Sequence, residues 1–373
     1  ISACLVGSEM CIRDRFMILY SHIFIIRKIT TMTNKTNSKS NSRSRHIYIY
    51  ILLFGLLITA SFLSVMLGSV YINPADILKC FFTPDKTSVT YILIMNIRLP
   101  RMLGAIIAGM GLSVAGVILQ GVMNNALASP NTIGVNSGAG FFVMLAMMLF
   151  PHSGYATSIA SFVGALLTTL AIYALAYMAD SSRTTIILAG ITVSSFLNAG
   201  INTIKLINTD ITLNITSFLM GTLSGLTFNK IALPAIGIIA AVLVSFILAK
   251  PLNILSLGDD YARSLGLNVP LTRFFLLVLS SIMAGLVVSF AGLLSFIGLI
   301  VPHICRTLFG SDARYLLPTS ALLGASFVLI CDIIGRLIAA PYELPAGIIM
   351  AFIGGPFFMY LLLKKKGGRR INA

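Results

Sequence analysis

The chain has 373 residues, of which 57% are hydrophobic and 10% are charged, with a formal net charge of +15. An ordinary soluble domain carries about 25% charged residues, because its surface faces water. This composition excludes a cytosolic globular enzyme. It indicates an all-α membrane protein with many transmembrane helices.

The positive charge is concentrated at the two ends of the chain. Residues 1–46 contain eight Lys or Arg against Glu9 and Asp14, and residues 364–373 contain five bases and no acid. Clustered bases can neutralise nucleic-acid phosphates. Here they flank hydrophobic segments, which is typical of the cytoplasmic side of a membrane protein. Nucleic acid is therefore not expected as a partner, and a lipid bilayer is.

Residues 1–46 predict no membrane span. The segment 1–15 shows no apolar periodicity and does not start with Met, so we expect it to be a non-native artefact, with Met17 or Met32 as the true start. Residues 33–45 are polar and basic, which is typical of a disordered leader. This leader is expected to lie in the cytoplasm.

Long charge-free runs follow the leader, and a membrane span needs about 20 apolar residues. Residues 102–179 contain no Asp, Glu, Lys or Arg, and clusters of Gly, Pro and Asn divide them into three helices. Between residues 47 and 363 the runs predict ten transmembrane helices, at about 47–70, 98–120, 132–150, 156–178, 184–204, 231–249, 274–291, 293–305, 316–339 and 345–363. Ten spans place both termini on one side, and the basic tail 364–373 predicts that this side is the cytoplasm.

The longest polar stretch between predicted spans is 250–273. It predicts a short helix at about 257–265, with Ser256 and Asp259 as a capping-box-like start and two Asp in the first turn, where the helix dipole favours acids. Gly266 is expected to end this helix. From composition alone, the helix is either a solvated connector or a docking surface for a soluble partner.

Three arginines lie near predicted outer ends of helices. Arg98 and Arg101 flank Leu-Pro at the start of the second helix, and Arg336 follows Asp332 by four residues in the ninth. One interpretation is side chains that snorkel to the interface, with an i,i+4 Asp–Arg pair. The other is a set of guanidinium groups that bind carboxylates of an external partner.

The sequence contains no motif for catalysis, nucleotide binding or metal binding. It has no GxxxxGK[ST] phosphate loop and no HExxH pair, and its five cysteines form no CxxC pair. His303 is interpreted as a structural hydrogen-bonding residue, and no cofactor is expected. The spans hold almost no carboxylates for a proton relay. We therefore expect a chain that is not itself an enzyme and that depends on an energised partner.

Five segments in collinear order resemble the permease subunits of bacterial ABC importers of the FecCD type, for iron–siderophore complexes, haem and cobalamin. The segments are RLPRMLGAIIAGMGLSVAGVILQGVMNNALASPNTIGVNSGAG at 98–140, LSLGDDYARSLGLNV at 255–269, SFAGLLSFIGLIVPHICR at 289–306, LLPTSALLGASFVLICDIIGR at 316–336 and ELPAGIIMAFIGGPFFMYLL at 343–362. The resemblance implies the type II, cobalamin-importer-like fold, with ten helices per subunit in the bacterial cytoplasmic (inner) membrane. It also implies three kinds of partner: a second permease subunit, identical or paralogous, two cytoplasmic ATPase subunits, and an extracytoplasmic substrate-binding protein.

The resemblance assigns roles to three groups of residues. Those expected to form the coupling helix on the ATPase are Asp259, Asp260, Ala262, Arg263 and Gly266. Those expected to meet acidic residues of the binding protein are Arg98, Arg101 and Arg336. Those expected near the cytoplasmic gate are Thr184 and Thr185.

The function implied by the resemblance is ATP-driven uptake of iron(III)–siderophore complexes, with haem and cobalamin as related substrates. The alternative is a secondary carrier of a small organic solute, which would act without an ATPase and use an ion gradient. The scarcity of carboxylates within the spans and the match at 255–269 favour the importer.

Overall fold

The computed structural model consists of helices joined by short loops in the part of the chain that it describes, with no strand there. The described residues are 47–367 except 69, 83–85, 132, 152, 180–181 and 341. The predicted leader, 1–46, and the end of the basic tail, 368–373, lie outside them. The chain divides into two units at Leu52. The described residues of the first unit, 47–52, are helical, and every contact discussed below lies within the second unit.

Helices of the described residues are numbered α1 to α15 in chain order. They are α1 Ile47–Met66, α2 Pro74–Phe82, α3 Val89–Ile92, α4 Leu99–Met123, α5 Val135–Leu149, α6 Gly154–Met178, α7 Arg183–Ile207, α8 Thr209–Met220, α9 Phe228–Ile247, α10 Ala249–Ser256, α11 Asp259–Ser264, α12 Val269–Ala291, α13 Ile297–Phe309, α14 Ala313–Ile338 and α15 Ala346–Gly367. A π-helical turn, Leu93–Arg98, joins α3 to α4 without a break.

Seven of these helices are long and apolar enough to cross a membrane, counting the continuous helix Val89–Met123 once. Three shorter apolar helices, α5, α13 and α15, bring the number to ten. The ten helices correspond in order to the ten predicted spans. The sequence did not predict α2, α8 and α10, which have 9, 12 and 8 residues and are each too short to cross a bilayer.

Helix α4 forms the centre of the bundle and packs against α14, α12, α13 and α9. The most apolar window of the helix that contains it is 78% buried, whereas the corresponding window of α7 is 22% buried. Ala108, Ala115 and Ile118 of α4 are completely buried. The large difference in burial shows that α4 is enclosed by protein and that α7 lies at the surface of this chain.

Glycines let α4 touch two of its neighbours backbone to backbone. A Cβ atom on Gly109 would lie 2.2 Å from the carbonyl oxygen of Gly324 in α14. A Cβ atom on Gly116 would lie 2.2 Å from the carbonyl oxygen of Gly298 in α13. Close approach at small residues is a main source of helix association in membranes, so α4, α13 and α14 form one tightly packed unit.

The two ends of the bundle are named here by the residues that they hold. At the arginine end, α1 and α14 finish and α4 starts, and Arg98, Arg101 and Arg336 meet there. At the α11 end, α7, α12 and α14 start, and the segment α10–α11 contacts all three. These two ends carry the residues singled out by the sequence.

Candidate functional site

Arg101 is the centre of a buried ion-pair network at the arginine end. Its Nε donates to both oxygens of Asp332 at 3.0 and 3.1 Å, and its Nη2 donates to Asp332 Oδ1 at 2.9 Å. Its Nη1 donates to Glu343 Oε2 at 2.6 Å. Arg336 also pairs with Asp332, at 3.2 Å, which is the i,i+4 pair expected from the sequence. The network joins α4, α14 and the connection that leads into α15.

The other two arginines hold the C-terminal end of α1. The last carbonyls of a helix have no partner within the helix and carry partial negative charge. Here the guanidinium groups of Arg98 and Arg336 supply donors to that end. The acceptors are the carbonyl oxygens of Val65, Met66 and Val70 for Arg98, and those of Ser64 and Leu67 together with Ser64 Oγ for Arg336. A Cβ atom on Gly68 would lie 3.1 Å from Arg98 Nη2, so the small residue leaves room for this contact.

The three arginines are thus brought together at one end of the bundle, but they are buried. Arg98, Arg101 and Arg336 are 6%, 6% and 3% exposed, and their donors reach carbonyls and carboxylates of the same chain. Side chains that snorkel freely to the interface are not what the structure shows. Docking to an external protein stays a prediction. Glu343 was not singled out from the sequence, because nothing in its spacing indicates a partner 242 residues away.

Helix α11 lies within the predicted range but starts later than expected. Gly258, with φ 121°, precedes it, and no side chain caps it. The predicted capping role of Ser256 is wrong, because this residue ends α10 and its hydroxyl donates to the carbonyl oxygen of Asn253 at 2.7 Å. The predicted stop at Gly266 is confirmed: it has φ 80°, and its N–H donates to the carbonyl oxygen of Arg263 at 2.9 Å.

Asp259 fixes α11 to the starts of two membrane helices. Its Oδ1 accepts a hydrogen bond from Arg183 Nη2 at 2.7 Å, and its Oδ2 accepts one from Arg273 Nη2 at 2.7 Å. Burial alone raises the pKa of Asp259, but the hydrogen bonds and charges of Arg273 and Arg183 outweigh it and hold this pKa below its ordinary value. Asp259 therefore stays ionised and bridges α7 to α12.

The remaining predicted coupling residues divide between two sides of α11. Ala262 is completely buried, whereas Asp260, Arg263 and Gly266 are exposed. An exposed apolar row runs along the same segment at intervals of four residues. It consists of Leu257, Tyr261 and Leu265, which are 62%, 70% and 62% exposed. We call these three side chains with Asp260 and Arg263 the α11 surface.

Thr184 and Thr185 lie in the first turn of α7, directly after the arginine that binds Asp259. Ser182 caps this turn, since its Oγ accepts the N–H of Thr185 at 3.1 Å, and Thr184 is exposed. Nothing in the sequence connects the two threonines with the α11 residues. Arg183 connects the two groups, and it was missed because its partner lies 76 residues further along the chain.

Helix α7 also carries a row of exposed polar side chains for which no role was predicted from the sequence. Thr192, Ser195, Asn198 and Asn202 recur at intervals of three or four residues and are all exposed, which places them on one face. The hydroxyls of Thr192 and Ser195 donate to carbonyls of the preceding turn, at 2.9 Å each. Polar side chains at membrane depth are costly against lipid. The spacing of these Ser, Thr and Asn residues is a signal that could have identified this face.

The comparisons with known proteins agree with this architecture. The family model of the FecCD transport family matches residues 56–364. The chain belongs to the FecCD transport family. It is therefore a membrane permease, and the family predicted from the five collinear segments is confirmed.

Individual relatives cover most of the chain. The Bacillus subtilis (strain 168) protein "Probable siderophore transport system permease protein YfhA" is 38% identical over 325 residues, which are 85% of this chain and 94% of the relative. The "Fe(3+)-citrate import system permease protein YfmE" of the same organism is 36% identical over 313 residues, 84% of this chain and 93% of the relative. A solved structure described as an inward-facing "metal-chelate type ABC transporter" aligns with a TM-score of 0.76 and 28% identity, covering 85% of this chain and 99% of that one. The predicted fold is thereby confirmed.

Proposed function

We propose that the chain is the transmembrane subunit of an ATP-driven importer that takes up iron(III)–siderophore complexes delivered by an extracytoplasmic binding protein. The complete importer contains a second permease subunit and two cytoplasmic ATPase subunits, and hydrolysis of ATP takes place on those ATPases. The family match over residues 56–364 carries this proposal. The relatives with siderophore and Fe(3+)-citrate import in their names favour iron chelates over haem or cobalamin.

Under this proposal, the α11 surface docks on the ATPase at the cytoplasmic side of the bacterial inner membrane, with both termini on that side. Exposed apolar side chains flanked by charges are the composition of a protein interface. Movement of α11 would reach α7 and α12 directly, because Asp259 binds Arg183 at one and Arg273 at the other. The coupling residues predicted by the resemblance and the gate threonines then act as one connected group.

The polar face of α7 is the proposed wall of the transport path. This helix is only 22% buried in its most apolar window, so most of it needs lipid or another subunit as a neighbour. A row of Thr, Ser and Asn is unfavourable against lipid and suits a path between two permease subunits that water can enter. Uncharged hydrogen-bonding groups also bind a chelate weakly enough to release it.

At the arginine end, docking of the binding protein would involve the ion-pair network. Glu343 is 31% exposed, whereas Asp332 is 1% exposed. A carboxylate from outside can therefore replace Glu343 on Arg101 much more easily than it can replace Asp332. We propose that Glu343 occupies the place of the partner's carboxylate until docking.

The decisive experiment is purification of the chain from its own cells in mild detergent, followed by reconstitution of whatever accompanies it into vesicles. We expect ATPase subunits in stoichiometric amount and uptake of radioactive iron(III)–siderophore that requires ATP and the binding protein. Uptake that persists without ATP and stops when ion gradients are dissipated would instead establish the secondary carrier. Competition by haem or cobalamin, but not by siderophore, would overturn the substrate assignment alone.

A further inference from the structure

A cavity of about 980 Å³ lies at the α11 end of the bundle, between α4, α10, α13, α14 and α15. Its walls are of two kinds. Val117, Leu252, Leu299, Leu316 and Phe358 are among the apolar residues that line it, and Gln120, His303 and Arg306 form part of its polar side. A cavity with an apolar wall and a few convergent polar groups has the character of a ligand site. Of the residues given a docking, coupling or gating role above, Leu257 of the α11 surface lines it, and its polar side has been given no such role.

Among the described residues that line the cavity, Arg306 alone carries a permanent charge. Its Nη1 donates to Gln120 Oε1, and Gln120 Nε2 donates to the carbonyl oxygen of Gly298 at 2.9 Å. This second bond fixes the orientation of the amide. No carboxylate of the described residues forms an ion pair with Arg306. A guanidinium group has five N–H donors, so most of those on Arg306 remain for a ligand.

The acidic residue nearest in sequence already accepts hydrogen bonds within this chain, one of them from Asn253, which itself lines the cavity. Asp312 lies between two lining residues, but its Oδ1 accepts hydrogen bonds from Asn253 Nδ2 at 2.7 Å and from the N–H of Arg314 at 3.0 Å. The described residues of the lining include no Asp or Glu. It therefore offers positive charge without a counter-ion and has no group that would attract a cationic headgroup.

We infer that this cavity binds the phosphate group of an anionic phospholipid, with the phosphate on Arg306 and the acyl chains against the apolar wall. Guanidinium groups bind phosphate oxygens in bidentate geometry. Basic pockets between transmembrane helices are known to take anionic headgroups. The cavity lies at the end of the bundle, and the ends of helices that span a bilayer lie at the depth of the lipid headgroups. This inference is independent of the transported substrate.

The test measures lipid binding to the purified full-length chain by native mass spectrometry in detergent. Phosphatidylglycerol, phosphatidylcholine and inorganic phosphate are added separately to the wild-type chain and to Arg306→Gln, Arg306→Lys and Arg314→Gln. We expect one phosphatidylglycerol bound preferentially per wild-type chain. Arg306→Gln should weaken it by about tenfold to a hundredfold, the range for a lost charged hydrogen bond, and Arg306→Lys by less. Arg314→Gln removes an exposed arginine outside the lining and should change nothing.

Four outcomes would overturn the inference. Equal binding of phosphatidylglycerol and phosphatidylcholine, or undiminished binding to a folded Arg306→Gln chain, would show that Arg306 does not select an anionic lipid. Binding of inorganic phosphate with no preference for phosphatidylglycerol would assign the site to a soluble phosphate. Unchanged lipid binding together with loss of the ATPase subunits from the Arg306→Gln complex would assign the cavity to a protein partner. The Arg306→Lys chain keeps the positive charge, so it shows whether a loss of lipid binding in Arg306→Gln comes from the lost charge or from misfolding.

Discussion

Arg101 donates three hydrogen bonds to Asp332, at 2.9 to 3.1 Å, although 231 residues separate the two in the chain. The Asp332 side chain is 1% exposed and that of Arg101 is 8% exposed. Two buried charges of opposite sign depend on each other, because removal of one leaves the other without water or a partner. The start of α4 and the end of α14 are therefore joined by a contact that tolerates little change.

We expect Asp332→Asn to destabilise the fold by about 3–5 kcal/mol, the usual cost of an unpaired buried charge. The substitution removes the shared partner of Arg101 and Arg336. Asp76→Asn is the matched control, since Asp76 and Lys79 are 49% and 73% exposed and 3.6 Å apart, and exposed pairs contribute less than about 1 kcal/mol. Thermal unfolding in detergent measures both. Equal effects of the two substitutions would contradict the prediction.

Gly109→Val should prevent α4 and α14 from packing, because a Cβ atom at this position would lie 2.2 Å from the carbonyl oxygen of Gly324. Overpacking of a core costs about 1–3 kcal/mol or more, and here the obstacle is backbone. We expect low yields of folded protein, measured by size-exclusion chromatography. Gly355→Val in α15 is the control, since nothing lies within 4 Å of a Cβ atom there. Normal yields of Gly109→Val would show that the helices are further apart.

Asp259→Asn should uncouple ATP hydrolysis from uptake, because it breaks the ion pairs of α11 with Arg183 and Arg273. Under the proposed function, uptake falls at least about tenfold while ATP hydrolysis by the assembled importer continues, a loss that corresponds to about 1.4 kcal/mol. Reconstituted vesicles allow both rates to be measured. Asp76→Asn makes the same change of charge at an exposed site away from α11. A parallel loss of both activities would indicate failed assembly instead.

The stability contributed by Asp259 should depend on pH in one direction. The folded pKa lies below the ordinary value, so the unfolded chain binds the proton more readily. This contribution is complete above the unfolded pKa of about 3.9 and is lost as the pH falls through the still lower folded pKa. The difference in melting temperature between wild type and Asp259→Asn should stay constant from pH 7 to about 5 and shrink below about 4. A difference that grows on acidification would refute the assignment.

Under the proposed function, Glu343→Gln should strengthen docking of the extracytoplasmic binding protein. The substitution removes the carboxylate that competes for Arg101 Nη1, and relief of one such charged contact is worth about tenfold in affinity, or about 1.4 kcal/mol. Surface plasmon resonance with the detergent-purified importer measures the affinity. Weaker docking would show that Glu343 itself contributes to the interface. An unchanged affinity would mean that Arg101 takes no part.

The sequence predicted the membrane helices because their signal is local. A long run without charge identifies a span wherever it occurs, so all ten predicted spans correspond to helices. The end of α11 at Gly266 was also predictable from a local signal. Glycine adopts positive φ angles easily, and Gly266 has φ 80°. The prediction of a capping role for Ser256 was wrong, because α10 extends through that position and takes up its hydroxyl.

The long-range partners of the charged residues could not be predicted from one sequence. Arg183 binds Asp259 across 76 residues, and Arg101 binds Glu343 across 242. Such pairs depend on which helices become neighbours, and hydrophobic periodicity does not determine that. The same limit applies to Arg98, because its acceptors are backbone carbonyls. Every residue has such a carbonyl, so the sequence does not indicate which ones bind Arg98. The pair of Arg336 with Asp332 was predictable, because the two residues lie four positions apart on one helix, whereas the long-range contacts of the arginines were not.

The glycine contacts of α4 with α13 and α14 have a mechanical consequence. Helices whose backbones touch cannot slide past one another in small steps, so we expect these three to move as one rigid unit. α4 has 25 residues, and at 1.5 Å per residue it is about 37 Å long. A tilt of this unit at the end where α10 contacts α14 would displace the opposite end of α4, where Arg101 binds Asp332. The displacement would be proportional to the length of α4. A movement on one side of the membrane would thereby displace residues on the other side directly, without a series of side-chain rearrangements between them.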